Sequence, residues 1–151
     1  MFRYLCYKSR DNARTPMQWD DSNCAGFSEG EPWIKVNPNY REINVKEQLE
    51  RPDSVFYYYK KLIALRKAHP IIVYGSYELL LPEDEEIYMF TRTYEKEKLL
   101  VIGNFSEKER KLMIPKIFAE GEIWISNYYR MEIQEEILLA PYEAIVIQIE
   151  L

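Results

Sequence analysis

The chain has 151 residues, 47% hydrophobic and 30% charged, which is enough for one domain with a buried core. Its formal net charge of −5, without a Lys/Arg stripe, argues against a nucleic-acid partner. No apolar run approaches the ~18 residues of a membrane span, and the opening MFRYLCYKSR lacks the apolar core of a signal peptide, so no membrane partner and a cytoplasmic location are expected. Cys6 and Cys24 lack zinc-type spacing and are expected to be reduced thiols without a structural role. With His69 as its one histidine, the chain has little scope for a Ser-His-Asp or Cys-His site.

Residues 1 to about 52 are rich in loop signals, with Pro16, Pro32, Pro38 and Pro52 beside Gly26 and Gly30. The densest part is SRDNARTPMQWDDS, Ser9 to Ser22, which has neither helical nor strand periodicity. Trp19, Phe27, Trp33 and Tyr40 argue against disorder, because disordered segments are poor in aromatic residues. Asn44, followed three residues later by Glu47, has the pattern of an N-cap with its capping-box partner. It predicts a short helix over Val45 to Leu49, stopped by Pro52.

DSVFYYYKKLIALRKAHP, Asp53 to Pro70, predicts a longer helix, capped by Asp53 or Ser54 and ended by Pro70. Val55, Tyr59, Leu62 and Arg66 form one stripe; Phe56, Tyr59 and Ile63 form its neighbour. Lys60, Lys61, Arg66 and Lys67 lie toward its C-terminal half, where the helix dipole favours cations. So wide an apolar surface expects to be packed by more than one neighbour.

From about Ile71 the period changes to that of strands. YGSYELLL, EIYMFTRTY, KLLVIGNF, RKLMI, EIWISNY and EAIVIQIEL are short, β-branched and aromatic, with polar turns such as YEKEK and SEKER between them. EEILLAPYEA, Glu135 to Ala144, adds an apolar piece before the last of them. This spacing predicts a small antiparallel β-sandwich without an interrupting helix, so the chain as a whole is mostly β.

The β region offers no constellation for chemistry. The acidic run Glu83 to Glu86 reads as a solvated turn, and Tyr128, Tyr129 and Arg130 as the packed end of a strand. The opening loop differs: Arg10, Asp11, Asn12, Arg14, Thr15, Gln18, Asp20 and Asp21 gather donors and acceptors around Trp19. Two readings stay open. One is a structural ion-pair network; the other is a polar-substrate site, since guanidinium and carboxylate groups suit paired hydrogen bonds to vicinal hydroxyls. Asp20 and Asp21 lack the alternating spacing of a calcium loop, and neither a metal nor a cofactor is expected.

SRDNARTPMQWDDS, AGFSEGEPWIKVNPNYREINV (Ala25 to Val45) and DSVFYYYKKLIALRKAHPIIVYGSYELL (Asp53 to Leu80) resemble the C-terminal third of oligo-1,6-glucosidases. These are α-glucosidases of the α-amylase superfamily, glycoside hydrolase family 13; dextran glucosidases and trehalose-6-phosphate hydrolases are close kin. Over the β region the resemblance is looser but collinear, with KLLVIGNF and APYEAIV as the recognisable pieces.

The resemblance implies a (β/α)8 barrel followed by an antiparallel β-sandwich. Residues 1–70 would be the barrel's tail, comprising the loop after the eighth strand and the last helix, and residues 71–151 the C-terminal domain. It implies a retaining mechanism with its catalytic carboxylates on earlier barrel strands, so none of them is expected in this chain. Arg14 would reach the non-reducing-end glucose in the innermost subsite, while Arg10 and Asp11 would position the loop. On this reading the chain is a fragment that does not hydrolyse α-glucosides alone, and its substrate binds only in a full catalytic domain. Its exposed barrel helix is expected to make it a homo-oligomer. The rival reading is a non-catalytic module that binds glucan or another chain.

Overall fold

The computed structural model describes residues 13–151, which divide into two compact units between Lys60 and Lys61. In the first unit, Asn44 performs the role read from its spacing. Its side-chain oxygen accepts the Glu47 N–H at 2.9 Å and its amide donates to the Tyr40 carbonyl at 2.8 Å. The helix it starts, α1, runs Val45–Glu50. Short 3₁₀ turns precede it at Asn23–Gly26 and Pro38–Arg41, the latter opened by Asn37 through its bond from the Asn39 N–H.

Helix α2 spans Val55–Ala68. The buried Ser54 just before it donates its hydroxyl to the Gln48 carbonyl at 2.7 Å, and the Tyr57 hydroxyl reaches the Leu49 carbonyl at 3.1 Å. The apolar stripes are present, yet no residue of α2 is buried, and Val55 and Tyr59 are 76% and 64% exposed. The expected packing by several neighbours is not supplied by the described residues.

In the second unit, after the end of α2, comes a short helix, α3, at Ile71–Tyr74, where the sequence predicts only strands. Pro70 has helical backbone angles and opens it. Gly75 closes it, because an added Cβ there would lie 2.5 Å from the Ile71 carbonyl oxygen. Seven strands follow: β1 Ser76–Leu79, β2 Ile87–Tyr94, β3 Glu97–Asn104, β4 Arg110–Met113, β5 Glu122–Ser126, β6 Glu136–Leu139 and β7 Ala144–Glu150. All pairs are antiparallel, in a five-stranded sheet ordered β1-β2-β3-β7-β5 and a two-stranded sheet β4-β6. The chain is mostly β, with the sandwich that the strand spacing predicts.

Alternation along the strands decides the core. Ile87 and Met89 of β2, Leu100 and Ile102 of β3, and Ile145 and Ile147 of β7 point to one side, where they meet Ile137 and Leu139 of β6, with Phe118 and Ile114 closing the layer. Polar anchors fix the turns around it. Asn104 is buried, and its amide donates to the carbonyls of Lys108 and Ala140 at 2.8 and 2.9 Å. Glu143, 1% exposed, receives two bonds from the Arg130 guanidinium and one from the Ala140 N–H at 2.7 Å.

The acidic run is not simply solvated. Asp84 accepts the N–H groups of Glu86 and Ile87 at 3.0 and 2.9 Å, which fixes the start of β2. Arg110 then reaches Asp84 at 2.9 Å and also pairs with Glu86. The Ile87 and Glu86 backbone bonds, and then Arg110, hold the Asp84 carboxyl below its ordinary range against a partial desolvation cost. A depressed carboxyl stabilises the fold fully above its unfolded pKa and loses that contribution as pH falls through the lower folded value. Asp84→Ala is therefore expected to reduce unfolding free energy by about 1–3 kcal/mol at neutral pH. The gap from the unsubstituted chain should shrink below the ordinary carboxylate range in urea titrations run across pH. A gap unchanged down to strongly acidic pH would show that Asp84 acts only through space-filling.

Candidate functional site

The loop singled out in the sequence is a tied structure. The Gln18 and Trp19 carbonyls accept the Val45 and Lys46 N–H groups at 2.9 and 3.0 Å, so the loop's backbone lies along the entry to α1. The Gln18 amide adds a bond to the Ile43 carbonyl. Farther on, the Trp19 and Asp20 N–H groups both converge on the Ala25 carbonyl, at 2.9 and 3.3 Å, and close a small ring of chain.

That ring requires unusual backbone. Cys24, Ala25 and Gly26 have φ of 53°, 58° and 64°, three consecutive residues in the left-handed region. Only glycine adopts this region without penalty, and each of the other two costs of order 1–3 kcal/mol unless its surroundings enforce it. The enforcement is visible: Ala25 is fully buried, its N–H donates to the Ser22 carbonyl at 3.0 Å and its carbonyl takes both donors described above. The Asp20 carboxylate sits beside Gly26, where an added Cβ would lie 2.7 Å from its oxygen. It accepts the Ser22 hydroxyl and the Ser22 N–H, which together lower its pKa, the hydroxyl more strongly.

Of the candidate residues, Arg14 is exposed, two positions before the buried Pro16. Arg10 and Asp11 lie outside the described residues. Asp20 turns inward onto Ser22, and Asp21 pairs with Lys46 at 3.3 Å, with both side chains largely exposed. Asp20 and Asp21 are thus absorbed into local structure. The two open readings divide accordingly: the aspartates follow the structural one, whereas Arg14 is presented to solvent. Among the described residues no group of three His, Cys, Asp or Glu side chains is arranged to hold a metal ion.

Two concavities flank this region within the first unit. A mainly apolar cleft of about 770 Å³ is lined by Thr15, Met17, Ile43, Val45, Gln48 and Phe56. A groove of about 510 Å³ runs past Cys24, Glu31, Trp33, Lys35 and Tyr40, with Trp33 87% exposed. In the sequence Trp33 and Tyr40 argue only for order; the segment Asn37 to Asn44 carries turn chemistry, and the turn Pro38–Arg41, opened by the Asn37 bond, brings Tyr40 to this groove.

Comparison with known proteins decides what this loop belongs to. Residues 1–75 match the family model for the α-amylase catalytic domain, and residues 87–146 match that for the C-terminal domain of the α-amylase SusG. The oligo-1,6-glucosidase of Parageobacillus thermoglucosidasius is 60% identical over 97% of this chain and 27% of its own length. The chain belongs to the α-amylase family of glycoside hydrolases. Within it, the chain corresponds to the C-terminal part of an oligo-1,6-glucosidase-like α-glucosidase. The oligo-1,6-glucosidase of Bacillus cereus is 54% identical over 95% of the chain and 26% of its own length. Among solved structures, the Bacillus licheniformis trehalose-6-phosphate hydrolase superposes with a TM-score of 0.90 at 45% identity, over 99% of this chain and 28% of that one. The chain therefore spans about a quarter of the length of the relatives it matches. No helix among the described residues is long and apolar enough to cross a membrane.

The left-handed ring gives a direct test of loop architecture. Gly26→Ala must push a methyl group into the Asp20 carboxylate while adopting a disfavoured φ, so a stability loss of more than about 1 kcal/mol is expected. Thermal unfolding of the two forms measures it. Equal midpoints would mean that the Asp20–Gly26 contact contributes nothing to the ring.

Proposed function

We propose that this chain is the C-terminal part of a retaining α-glucosidase that releases glucose from the non-reducing ends of isomalto-oligosaccharides. Residues 1–70 form the tail of its catalytic barrel and residues 71–151 its C-terminal domain. Arg14 holds hydroxyl groups of the glucose in the innermost subsite, Arg10 and Asp11 position the loop, and the setting is cytoplasmic. One observation carries this reading: the catalytic-domain match over residues 1–75 includes a loop whose aspartates Asp20 and Asp21 are engaged locally while Arg14 stays exposed.

The chemistry of a retaining glycosidase needs two carboxyl groups about 5–5.5 Å apart across the scissile bond, one as nucleophile and one as acid. Asp20, bound to Ser22, and Asp21, paired with Lys46, do not form such a pair. On this reading the chain contributes a binding group, and Asp20 and Asp21 are not the reacting carboxylates. A guanidinium that binds a sugar hydroxyl holds the ring in place for the reaction but does not itself break the glycosidic bond.

Purified chain is expected to show no turnover of isomaltose or 4-nitrophenyl α-glucoside. Joined behind the upstream part of the Parageobacillus thermoglucosidasius enzyme, the same chain should support turnover. There Arg14→Ala should lower kcat/KM about ten- to hundredfold, the loss of a charged hydrogen bond of ~1.5–3 kcal/mol. Turnover by the isolated chain, or an Arg14→Ala form as active as its parent, would sink the proposal. The exposed Trp33 in its groove favours a second reading, glucan binding without catalysis. Retardation of the chain in a dextran-containing gel, lost in Trp33→Ala, would support that reading.

The exposed stripe of α2 leads to a statement about assembly. Val55, Phe56, Tyr59, Leu62 and Ile63 are all exposed on α2, and each large apolar side chain left in water forgoes ~1.5–3 kcal/mol. The isolated chain is expected to self-associate through this stripe. Light scattering over a tenfold concentration range should give a mass above that of one chain, and Tyr59→Glu with Ile63→Glu should lower it. A monomeric mass throughout would remove the claim.

A further inference from the structure

One end of the second unit carries aromatic rings that its core does not use. The sequence reads Tyr128, Tyr129 and Arg130 as the packed end of a strand, and only Arg130 follows that reading, its guanidinium held by Glu143. Tyr128 and Tyr129 are 46% and 91% exposed. Beside them, in the turn between β6 and β7, Tyr142 is 55% exposed.

Tyr142 also has a backbone conformation that a tyrosine adopts at a cost. Its φ is 56°, in the left-handed region where a Cβ is crowded by the main chain. The turn enforces that geometry through main-chain groups. The Glu143 N–H donates to the Ala140 carbonyl at 3.1 Å and the Tyr142 N–H to the Ser106 carbonyl at 3.2 Å. The Tyr142 carbonyl accepts the Asn127 amide at 2.8 Å. None of these three bonds involves the phenol ring, so glycine or asparagine would make the same turn with less strain. A strained residue whose ring stands in solvent points to a use for the ring itself.

The surroundings make that ring part of a rigid platform. The Tyr128 hydroxyl donates to the Pro141 carbonyl at 2.8 Å, which stands its ring against the same turn. Asn127 is fastened to β7 as well, its side-chain oxygen accepting the Ala144 N–H at 2.8 Å. Both rings are thus carried by residues bonded to one turn, and little further ordering is needed on binding. Arg130 is occupied by Glu143, so its charge is not offered to an anion. A flat ring with a wet hydroxyl tip suits a ligand that is apolar on one face and polar at its edge. The C–H face of a glucose ring has that character, whereas a protein partner would favour a continuous apolar patch.

We propose that this end of the second unit is a binding site for neutral α-glucan chains, with Tyr142 and Tyr128 as its stacking rings. The proposal rests on the α-glucosidase reading above, which makes α-glucan the ligand at hand.

Electrophoresis of the full chain in gels with and without dextran tests this without using turnover. Dextran should retard the unsubstituted chain several-fold more than Tyr142→Asn. Tyr142→Phe, which keeps the ring, should be retarded like the unsubstituted chain. Asparagine relieves the left-handed strain, so Tyr142→Asn should unfold at a temperature no lower than that of the unsubstituted chain. Binding lost without stability lost is a result that a packing role for the ring would not give. The absence of any retardation overturns the proposal, as does a clearly lower unfolding temperature for Tyr142→Asn or a Tyr142→Phe form as unretarded as Tyr142→Asn. Equal retardation of Tyr142→Asn also overturns it, and its loss in Trp33→Ala then assigns binding to the Trp33 groove. Unchanged retardation with a lower mass of Tyr142→Asn in light scattering assigns the ring to a contact between copies instead. The chain joined behind the upstream part of the Parageobacillus thermoglucosidasius enzyme separates this site from the proposed function. Turnover there without retardation of the chain counts against this site alone, and retardation without turnover counts against the proposed function alone.

Discussion

Strands β3 and β7 lie side by side at the centre of the larger sheet, and both carry apolar residues on both faces. Water cannot be allowed on either side of such a pair at low cost, so each face must find a cover. On one side the cover is internal: β4 and β6, with Phe118, close over Leu100, Ile102, Ile145 and Ile147. On the other side α3 and His69 cover only part of the surface. The second unit is organised by this demand for two covers, and the turns around it are pinned by groups that would be expensive to bury alone.

Those pins show how buried charge is used. Glu143 is fully enclosed, which is tolerable because Arg130 meets it with two bonds and the Ala140 N–H supplies a third. Removing one partner of such a pair leaves an uncompensated charge, whereas the intact pair is close to neutral in net stability. Its effect is therefore on geometry: it fixes the turn between β6 and β7 and thereby the register of the strand that carries both faces. Asp84 and Arg110 do the same at the entry to β2, with less burial.

In the first unit the constraint is backbone conformation. A ring closed by the Ala25 carbonyl keeps Cys24 and Ala25 left-handed, and strain of this kind is stored where a loop must hold one shape. The aspartates that looked like candidate sugar ligands are consumed in holding that shape, and Arg14 is left exposed. A family of hydrolases can vary its chemistry by loops only if the loops are rigid enough to aim a side chain.

The sequence by itself determined the elements whose signals are local. The Asn44–Glu47 spacing specified α1, the Asp53 to Pro70 pattern specified α2, and short β-branched and aromatic runs between polar turns located six of the strands, with β6 read only as an apolar piece, because capping and turn signals act between neighbours in the chain. The long runs at both ends of the catalytic-domain match also carried the family. Tertiary structure decided the rest. Helix α3 is held because Arg92, distant in sequence, captures the Ile71 and Gly75 carbonyls; Asp84 gains an ion pair because Arg110 arrives beside it; Arg130 becomes an anchor because Glu143 is folded under it. The order β1-β2-β3-β7-β5, and with it which apolar residues share a face and which of them lie open, follows from strand pairing across long stretches of chain. Alternation along one strand fixes two faces, but only the packed sheets decide which face is the core.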